Sequence, residues 1–424
     1  MYRILWISQF ALHDTTSGAA LQCRTMLEYL AKIYGQKLQI HVLTCLLFDD
    51  PRGTKYFNDN KDKMKANEVF VQFEENGIQY TYVKNHTTVS LEQNFNDQRK
   101  FYTTYQHAVA HFRPDLIIGY GGDPMCMHIR NDAHARGVPN VFCVCNGTYK
   151  GTTFLYCDRV ITDSMATAAF YGKNFGINVI PVGEFIRPET VVVPKKDRKP
   201  QYVTFINPSH NKGLSVFARI ALMAQEQLPE VKFMVVESRG SFAKNLELLY
   251  EPGPDGKPGA HPFKAEMFKN VELHQHTDNI KEVYALTKVI LIPSLWFECW
   301  GRVATEAVMN DIPVISSKSG GLPEAGGEKE GASACLDVPE RCINNYLLIP
   351  SAEEVQPWID KLRSVLGEDY QKYTKGCAQA AKRHDPRVTA ERVFEVIEPL
   401  LRRKAGDSAQ LIRSGAYDPT YMNK

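Results

Sequence analysis

Two glutamates stand eight positions apart in the segment Pro293–Ala307, which reads PSLWFECWGRVATEA. Glu298 precedes a predicted helix that begins near Gly301, and Glu306 falls in the second turn of that helix. The N–H groups at a helix N-terminus suit a diphosphate, and a glycine there lets a ligand approach the backbone closely. A carboxylate one turn deeper can accept ribose hydroxyls, and one before the helix can accept sugar hydroxyls. The alternative is an ordinary amphipathic helix with two solvated glutamates.

A second candidate lies in Phe205–Gly213, where a predicted strand ends in a polar turn and Lys212-Gly213 opens a helix. A lysine at the start of a helix is poorly placed for the helix dipole. Its position is explained if the ammonium group meets a phosphate, and the alternative is a solvated lysine.

The glutamate segment resembles the E-x7-E signature of glycosyltransferase family 4, a retaining family with the two-domain GT-B fold. Asp311–Ser316 and the following Gly320–Glu324 resemble that family's next strand and glycine-rich loop. The resemblance covers about residues 1 to 400, is dense from 288 to 324 and is thin from 48 to 104, where acceptor contacts would be expected. It implies an α/β protein with two facing Rossmann-like domains and an interdomain cleft.

The resemblance also implies a function and a set of residues. The function is retaining, metal-independent transfer of a sugar from a nucleotide-sugar to an acceptor that the sequence does not identify. Glu306 would hold the ribose. The diphosphate would be bound by Lys212 and the Gly301–Val303 amides. The sugar would be bound by Glu298 and the Gly321–Leu322 backbone. The predicted donor-binding residues are Gly18, Ala19, Asn207, Lys212, Arg239, Glu298, Gly301, Arg302, Val303, Glu306, Gly321 and Leu322.

The sequence departs from the family at three of the predicted positions. Asn207 stands where an arginine is usual, and Arg302 or Arg239 is the candidate replacement. Gly18-Ala19 stands where the family shows a Gly-Gly pair. Asn146 follows a strand where the family often has a histidine, and an amide cannot act as a base at neutral pH. A simple turn is the equal alternative for Asn146.

His13, in the first loop, is a further candidate because it could approach the same cleft, although a lone loop histidine is more often solvated. The predicted catalytic residues are therefore Glu298, Lys212, Asn146 and His13.

Composition excludes several other classes. The net charge of +2 over 424 residues gives no global field for nucleic acid. The ten cysteines are scattered without a C-x-x-C pair, which favours free thiols in a reducing cytoplasm over zinc or a disulfide framework. No run of eighteen apolar residues predicts a membrane span. No D-x-D pair for a metal exists, so the expected co-substrate is a UDP-, GDP- or ADP-sugar without metal or other cofactor.

Short β-rich runs alternate with helical stretches nearly throughout, which predicts parallel α/β layers. A proline- and lysine-rich stretch at 187–201 has the composition of an interdomain linker. We predict an N-terminal acceptor domain over 1–186, a nucleotide-sugar domain over 187–385, a helix over 386–404 that returns to the first domain, and a disordered tail over 405–424.

Two rival functions remain open at this point. A sugar-nucleotide epimerase or phosphorylase could use the same fold, and transfer to an added acceptor would separate these from a transferase. A non-catalytic module that binds sugar-nucleotides or glycans is the other rival, and the departures at Asn207 and Asn146 keep it open.

Overall fold

The computed structural model describes residues 1–238, 240–253 and 257–402, which form two compact units. Of the described residues, the first unit contains those in 1–163, 168–185 and 386–402, and the second contains those in 164–167 and 186–385. Residues 164–167 group with the second unit although the sequence on either side of them belongs to the first, and the predicted domain bounds stay a prediction. The predicted tail at 405–424 and the candidate Arg239 lie outside the described residues.

The described strands alternate with helices as the sequence predicts. The strands are β1 Tyr2–Ile7, β2 Leu38–Cys45, β3 Lys65–Ala66, β4 Phe70–Glu75, β5 Ile78–Val83, β6 Leu116–Gly119, β7 Asn140–Val144, β8 Arg159–Thr162, β9 Val179–Pro181, β10 Tyr202–Ile206, β11 Lys232–Val236, β12 Val271–His274, β13 Thr287–Ile292, β14 Val314–Ser317 and β15 Ser333–Leu336.

The helices are α1 Gly18–Tyr34, α2 Lys55–Asp59, α3 Phe95–Phe112, α4 Pro124–Ala135, α5 Met165–Phe175, α6 Pro188–Val191, α7 Leu214–Gln227, α8 Phe242–Leu246, α9 Ile280–Leu286, α10 Arg302–Val308, α11 Leu322–Ala325, α12 Glu340–Asn344, α13 Ala352–Leu366, α14 Tyr370–Ala380 and α15 Pro386–Leu401. The predicted linker at 187–201 contains the short helix α6 and a single 3-10 turn at Lys195–Asp197.

The first unit is built on one sheet with the order β3-β4-β5-β2-β1-β6-β7-β8-β9. All its pairings are parallel except at one edge, where β4 pairs antiparallel with both β5 and β3. The turn between β4 and β5 is Asn76-Gly77, and both residues have positive φ, at 53° and 74°. This is the backbone geometry of a tight hairpin, and the sequence analysis did not predict it.

Helix α15 packs on helix α1 within the first unit. The rings of Tyr34 and Phe394 stack with centroids 3.9 Å apart, and Arg392 donates to the carbonyl oxygen of Val182 at 3.3 Å. Residues of α15, among them Val393 and Ile397, are fully buried in the same core as β1 and β2. The last described helix therefore belongs to the first unit because its apolar face is needed to cover that sheet.

The second unit is built on a wholly parallel sheet with the order β12-β11-β10-β13-β14-β15. Strand β10 leads outward to β11 on one side, while its neighbour β13 leads to β14 on the other. The loops that leave the carboxyl ends of β10 and β13 therefore diverge and open a crevice, which is where open α/β sheets bind ligands. Those two loops carry Lys212 and Glu298.

Candidate functional site

Lys212 and Glu298 form an ion pair in the second unit. Lys212 Nζ lies 2.6 Å from Glu298 Oε1, and the Ser294 hydroxyl donates to the same oxygen at 2.8 Å. The side chains are 32% and 13% exposed, so the pair is partly desolvated but remains open to solvent on the lysine side. Among the described residues, Oε2 of Glu298 receives no hydrogen bond, which leaves it able to accept from a ligand hydroxyl.

The loops that carry this pair are fastened together by backbone contacts. The N–H groups of Leu295 and Trp296 both donate to the carbonyl oxygen of Asn211 at 3.0 Å. Gly213 has a φ of +87°, and a Cβ there would lie 1.8 Å from the carbonyl oxygen of Pro293. Only glycine fits this approach, so the residue after Lys212 is fixed by the same packing that brings Lys212 to Glu298.

The glycine-rich loop after β14 packs against the backbone of Glu298. Gly320 has a φ of +54°, and a Cβ there would lie 2.0 Å from the carbonyl oxygen of Glu298, to which the Gly321 N–H donates at 2.8 Å. The Leu322 N–H donates to Ser319, and the Leu322 side chain is fully buried. The sequence analysis expected the Gly321–Leu322 backbone to orient a sugar. In the structure the Gly321 N–H donates to the backbone of Glu298 and the Leu322 N–H donates to Ser319, so both donors bond within the protein.

Glu306 is buried on the first turns of α10 and is held by two donors. Arg302 Nε donates to its Oε1 at 2.7 Å, and the hydroxyl of Tyr284, on α9, donates to its Oε2 at 2.7 Å. Burial and then the neighbouring Glu306 charge raise the pKa of Tyr284 well above its ordinary value, so the phenol stays a donor. Each carboxylate oxygen keeps a second lone pair for a ligand.

The start of α10 leaves backbone donors next to these carboxylates. Gly301 caps the helix with a φ of +108°, and the first helical bond runs from the Ala304 N–H to the Gly301 carbonyl at 2.8 Å. The N–H groups of Arg302 and Val303 precede that bond and point along the helix axis. These two N–H groups are the ones that the sequence analysis assigns to the diphosphate, and that assignment stays a prediction.

Asn207 orders the loop after β10. It adopts a left-handed backbone conformation with a φ of 64°, which asparagine tolerates better than most residues. Its N–H donates to Val236, and its side-chain oxygen accepts from the Ser209 hydroxyl at 2.7 Å. Asn207 thus stabilises the turn. Among the described arginines, Arg302 is the candidate to supply the positive charge of the arginine that is usual at this position, and it already contacts Glu306.

A cavity of about 730 Å³ opens beside the Lys212–Glu298 loops. Its walls come from the loops after β10, β11 and β13 and from the segment after α12. It is lined by Ser209, His210, Asn211, Gly240, Ser241, Lys244, Asn245, Trp296 and Tyr346. Ser209 and Asn211 belong to the loop that carries Lys212, and Trp296 belongs to the loop that carries Glu298, but neither Lys212 nor Glu298 lines this cavity.

The candidates of the first unit occupy different environments. Helix α1 begins at Gly18-Ala19, and a Cβ on Gly18 would meet nothing within 4 Å, so the backbone there is open to a ligand. The side-chain oxygen of Asn146 accepts from the N–H and the hydroxyl of Thr148, at 3.0 and 2.6 Å. Asn146 therefore forms a local turn, and its contact with a sugar stays a prediction.

His13 is fully buried, which differs from the expectation of a loop histidine near a cleft. Its Nδ1 lies 2.5 Å from the Tyr82 hydroxyl and its Nε2 lies 3.0 Å from Glu75 Oε2. The rings of Tyr56 and Tyr80 pack on it with centroids 4.1 and 4.7 Å away. A ring held in this way reaches a substrate only if these contacts break, so the structure gives His13 a structural position.

Sequence reasoning missed the residues that orient the two glutamates. Tyr284 reaches Glu306 from a separate helix, and nothing in the local sequence indicates this contact. Ser294 lies within the motif segment itself, so a hydroxyl four positions before Glu298 was a usable signal.

Comparisons with known proteins bear on the family and the fold. The model of the family described as "Glycosyl transferases group 1" matches residues 189–383, a little under half of the chain. The gpi3 subunit of phosphatidylinositol N-acetylglucosaminyltransferase from Schizosaccharomyces pombe is 26% identical in an alignment of 285 residues that covers 60% of this chain and 58% of that protein. The chain thus spans little more than half the length of this curated relative.

Solved structures match nearly the whole chain. A glycosyltransferase from Rickettsia africae superposes with a TM-score of 0.65 at 11% identity, covering 95% of this chain and 99% of that one. HepE of Anabaena, solved with UDP and glucose, gives 0.62 at 17% identity, covering 94% and 100%. The chain has the GT-B fold. Together, the fold and the family-model match support a glycosyltransferase.

The ten cysteines are free thiols, seven of them buried. Within the described residues, no helix has the length and hydropathy that crossing a bilayer requires.

Proposed function

We propose that the chain is a retaining, metal-independent glycosyltransferase that moves a sugar from a nucleotide-sugar to an acceptor. The observation that carries the proposal is the Lys212–Glu298 pair at 2.6 Å, placed at the divergence of the loops after β10 and β13. A cation beside a sugar-binding carboxylate is what a site needs when it must cleave the bond between a sugar and a diphosphate.

The donor would lie along the second unit with each of its parts on a different group. The ribose hydroxyls would donate to Glu306, whose carboxylate is oriented by Tyr284 and Arg302. The diphosphate would accept from Lys212 and from the N–H groups at the start of α10. The sugar would donate a hydroxyl to Oε2 of Glu298.

The chemical difficulty is the negative charge that develops on the leaving diphosphate. Preorganised donors aimed at that charge stabilise the transition state more than the ground state. Lys212 and the helix N–H groups would supply this stabilisation, so the proposal requires no metal. Retention, which the resemblance to family 4 implies, is attributed to attack from the face that the diphosphate leaves. We therefore assign no protein nucleophile.

The relatives suggest which donors to test first. HepE was solved with UDP-glucose as well as with UDP, and the name of the yeast relative describes transfer of N-acetylglucosamine. UDP-sugars therefore come before GDP- and ADP-sugars in a screen. The free thiols support a reducing, cytoplasmic location as part of the proposal.

The test is a nucleotide-release screen with UDP-, GDP- and ADP-sugars. We expect one donor to release its nucleotide, and Glu306→Ala and Lys212→Ala to abolish that release. NMR of the product's anomeric proton should show the configuration of the donor. Epimer formation, phosphate dependence, or nucleotide-sugar binding with no release from any donor would refute the proposal in favour of an epimerase, a phosphorylase or a binding module.

A further inference from the structure

The cavity of about 730 Å³ in the second unit has walls that the proposed function does not use. Its volume lies within the range of small-molecule sites, ~300–1,000 Å³. Two aromatic side chains, Trp296 and Tyr346, and one charged side chain, Lys244, line it. Since the groups assigned to the donor lie outside this lining, the cavity is a candidate for a second ligand site in the same unit.

Trp296 differs from the other tryptophans of the chain. The sequence contains four, all within the described residues, and Trp6, Trp300 and Trp358 are buried, at 0%, 8% and 1% exposure. Trp296 is only partly buried and lines the cavity. A tryptophan at a surface offers a large apolar ring face together with a polar N–H, and this combination is typical of binding sites. The position of Trp296 therefore indicates a ligand with an apolar face.

The walls of the cavity are joined by hydrogen bonds between separate segments. His210 Nε2 lies 2.9 Å from the carbonyl oxygen of Asn245, and Asn245 Nδ2 donates to the carbonyl oxygen of Pro208 at 2.9 Å. These two bonds connect the loop after β10 to helix α8. Asn345, which precedes Tyr346, donates to a tyrosine hydroxyl in the segment after α8 at 2.7 Å. Walls that are already ordered lower the entropy cost of binding a ligand.

The polar groups of the cavity combine donors and acceptors with one positive charge. Asn211 and Asn245 bring side-chain amides and Ser241 brings a hydroxyl, and these groups can bond to ligand hydroxyls. Among the described residues, Lys244 Nζ has no hydrogen-bond or ion-pair partner, and no carboxylate lines the cavity. The lining therefore suits a ligand with several hydroxyls and a negative charge.

We infer that this cavity is a second ligand site, which binds a sugar ring bearing a negative charge. A sugar ring has apolar C–H faces and a rim of hydroxyls. The faces would pack on Trp296 and Tyr346, the hydroxyls would bond to the amides, and the charged group would lie at Lys244. The inference is independent of the proposed function, because it concerns residues that the donor is not proposed to contact.

The experiment follows the tryptophan fluorescence of the full chain during titration with glucuronic acid and with glucose at neutral pH. Since the other three tryptophans are buried, a sugar packed on Trp296 should shift the emission to shorter wavelength and protect it from quenching by acrylamide. We expect glucuronate to bind about 2- to 5-fold more tightly than glucose, which is the effect of an ion pair near the surface.

Variants of the lining separate the two parts of the inference. Lys244→Ala should remove the preference for glucuronate and leave glucose binding unchanged. Tyr346→Ala should weaken the binding of both sugars severalfold, whereas Tyr346→Phe, which keeps the ring, should retain most of the affinity. Lys269→Ala is the matched control and should change neither affinity, since Lys269 is an exposed lysine of the same unit that does not line the cavity.

An unchanged fluorescence with both sugars, equal affinities for the two, or equal effects of Lys244→Ala and Lys269→Ala would overturn the inference. A nucleobase could also stack on these rings, so the titration is repeated with UDP, GDP and ADP all present. Retained glucuronate binding is the expected result, and its displacement would assign the cavity to the nucleotide and refute a second site.

These titrations contain no sugar donor and measure no transfer. Their failure would therefore leave the proposed glycosyltransferase unaffected. Conversely, glucuronate binding that depends on Lys244, without nucleotide release from any donor, would refute only the transferase.

Discussion

Replacing Lys212 by alanine removes the one lysine that we place against the donor diphosphate. Its Nζ lies 2.6 Å from a glutamate oxygen, and its side chain is 32% exposed, so the charge is partly shielded from water. A hydrogen bond to a charged group in such a setting contributes ~1.5–3 kcal/mol. Nucleoside diphosphate binding should therefore weaken roughly 10- to 150-fold in Lys212→Ala.

The catalytic effect should exceed the effect on binding. Charge on the diphosphate grows as the sugar leaves, and removing one preorganised donor from such a site costs roughly 100- to 1000-fold in kcat. The stability effect should be small, because the pair is only partly buried. A loss of about 1–2 kcal/mol would lower Tm by about 2–8 °C for a domain of this size.

The assay is calorimetric titration with whichever of UDP, GDP and ADP binds the unaltered chain most tightly, followed by nucleotide release from its sugar. The control is Lys232→Ala, which removes a lysine that lies 3.9 Å from Glu272 at the amino end of β11. This control should bind and react normally. If Lys212→Ala keeps its fold and binds the nucleotide within twofold of the unaltered chain, the assignment of Lys212 to the diphosphate is refuted.

Four further predictions test the surrounding groups. Tyr284→Phe removes the hydroxyl that donates to Glu306 at 2.7 Å, and the same titration should show roughly 2- to 10-fold weaker nucleotide binding. Gly320→Ala places a Cβ 2.0 Å from a carbonyl oxygen at positive φ, so urea unfolding should show a loss of at least ~1–3 kcal/mol and nucleotide release should fall. The hydrogen bond with His13 lowers the pKa of Glu75 from 4.5 to about 2. A lowered pKa means that the ionised Glu75 carboxylate stabilises the folded state. This stabilisation is complete above pH 4.5 and is lost as the pH falls toward 2, so Glu75→Gln should flatten the dependence of Tm on pH in this window. Finally, nucleotide release should be unchanged in excess EDTA, and a loss restored by Mg²⁺ would refute metal independence.

Local patterns were enough to predict most of the elements. Helix α13, for example, carries a local start signal, a capping box between Ser351 and Glu354. The alternation of apolar runs with helical stretches predicted the parallel strands of both sheets, because buried strands and amphipathic helices leave strong signals within a few residues. The GT-B fold, which the resemblance implied, is confirmed by the solved structures.

The hairpin β4–β5 shows where this reasoning failed. Strand β4 reads FVQFEE and lies near the edge of the sheet, so its polar residues hid the strand, although Asn76-Gly77 is a strong hairpin signal. The miss had a consequence for the site. The aromatic cluster that buries His13 includes Phe73 of β4, so without that strand the histidine could not be recognised as buried.

The site was predicted residue by residue but not as a network. Positions such as Lys212, Glu298 and Glu306 follow from strand ends and helix starts, which are local features. Their partners do not, because Tyr284 comes to Glu306 only through the packing of α9 against α10 and β13. The sequence therefore identifies which groups can act on a ligand, while tertiary packing decides which of their oxygens remain available.

That availability is the strongest physical reason to expect a nucleotide-sugar rather than a free nucleotide. Glu298 takes both of its donors, Lys212 and Ser294, on Oε1, and Oε2 is left for a sugar hydroxyl. Glu306 takes one donor on each oxygen and keeps a lone pair on both, which suits the two hydroxyls of a ribose. Along the chain, the N–H groups that start α10 lie between these carboxylates. This sequence order of carboxylate, amide donors and carboxylate matches the covalent order of sugar, diphosphate and ribose, and Lys212 pairs with the first carboxylate. A ligand without the sugar would have no hydroxyl to donate to Glu298 Oε2. A ligand without the ribose would have no hydroxyls to donate to the Glu306 carboxylate.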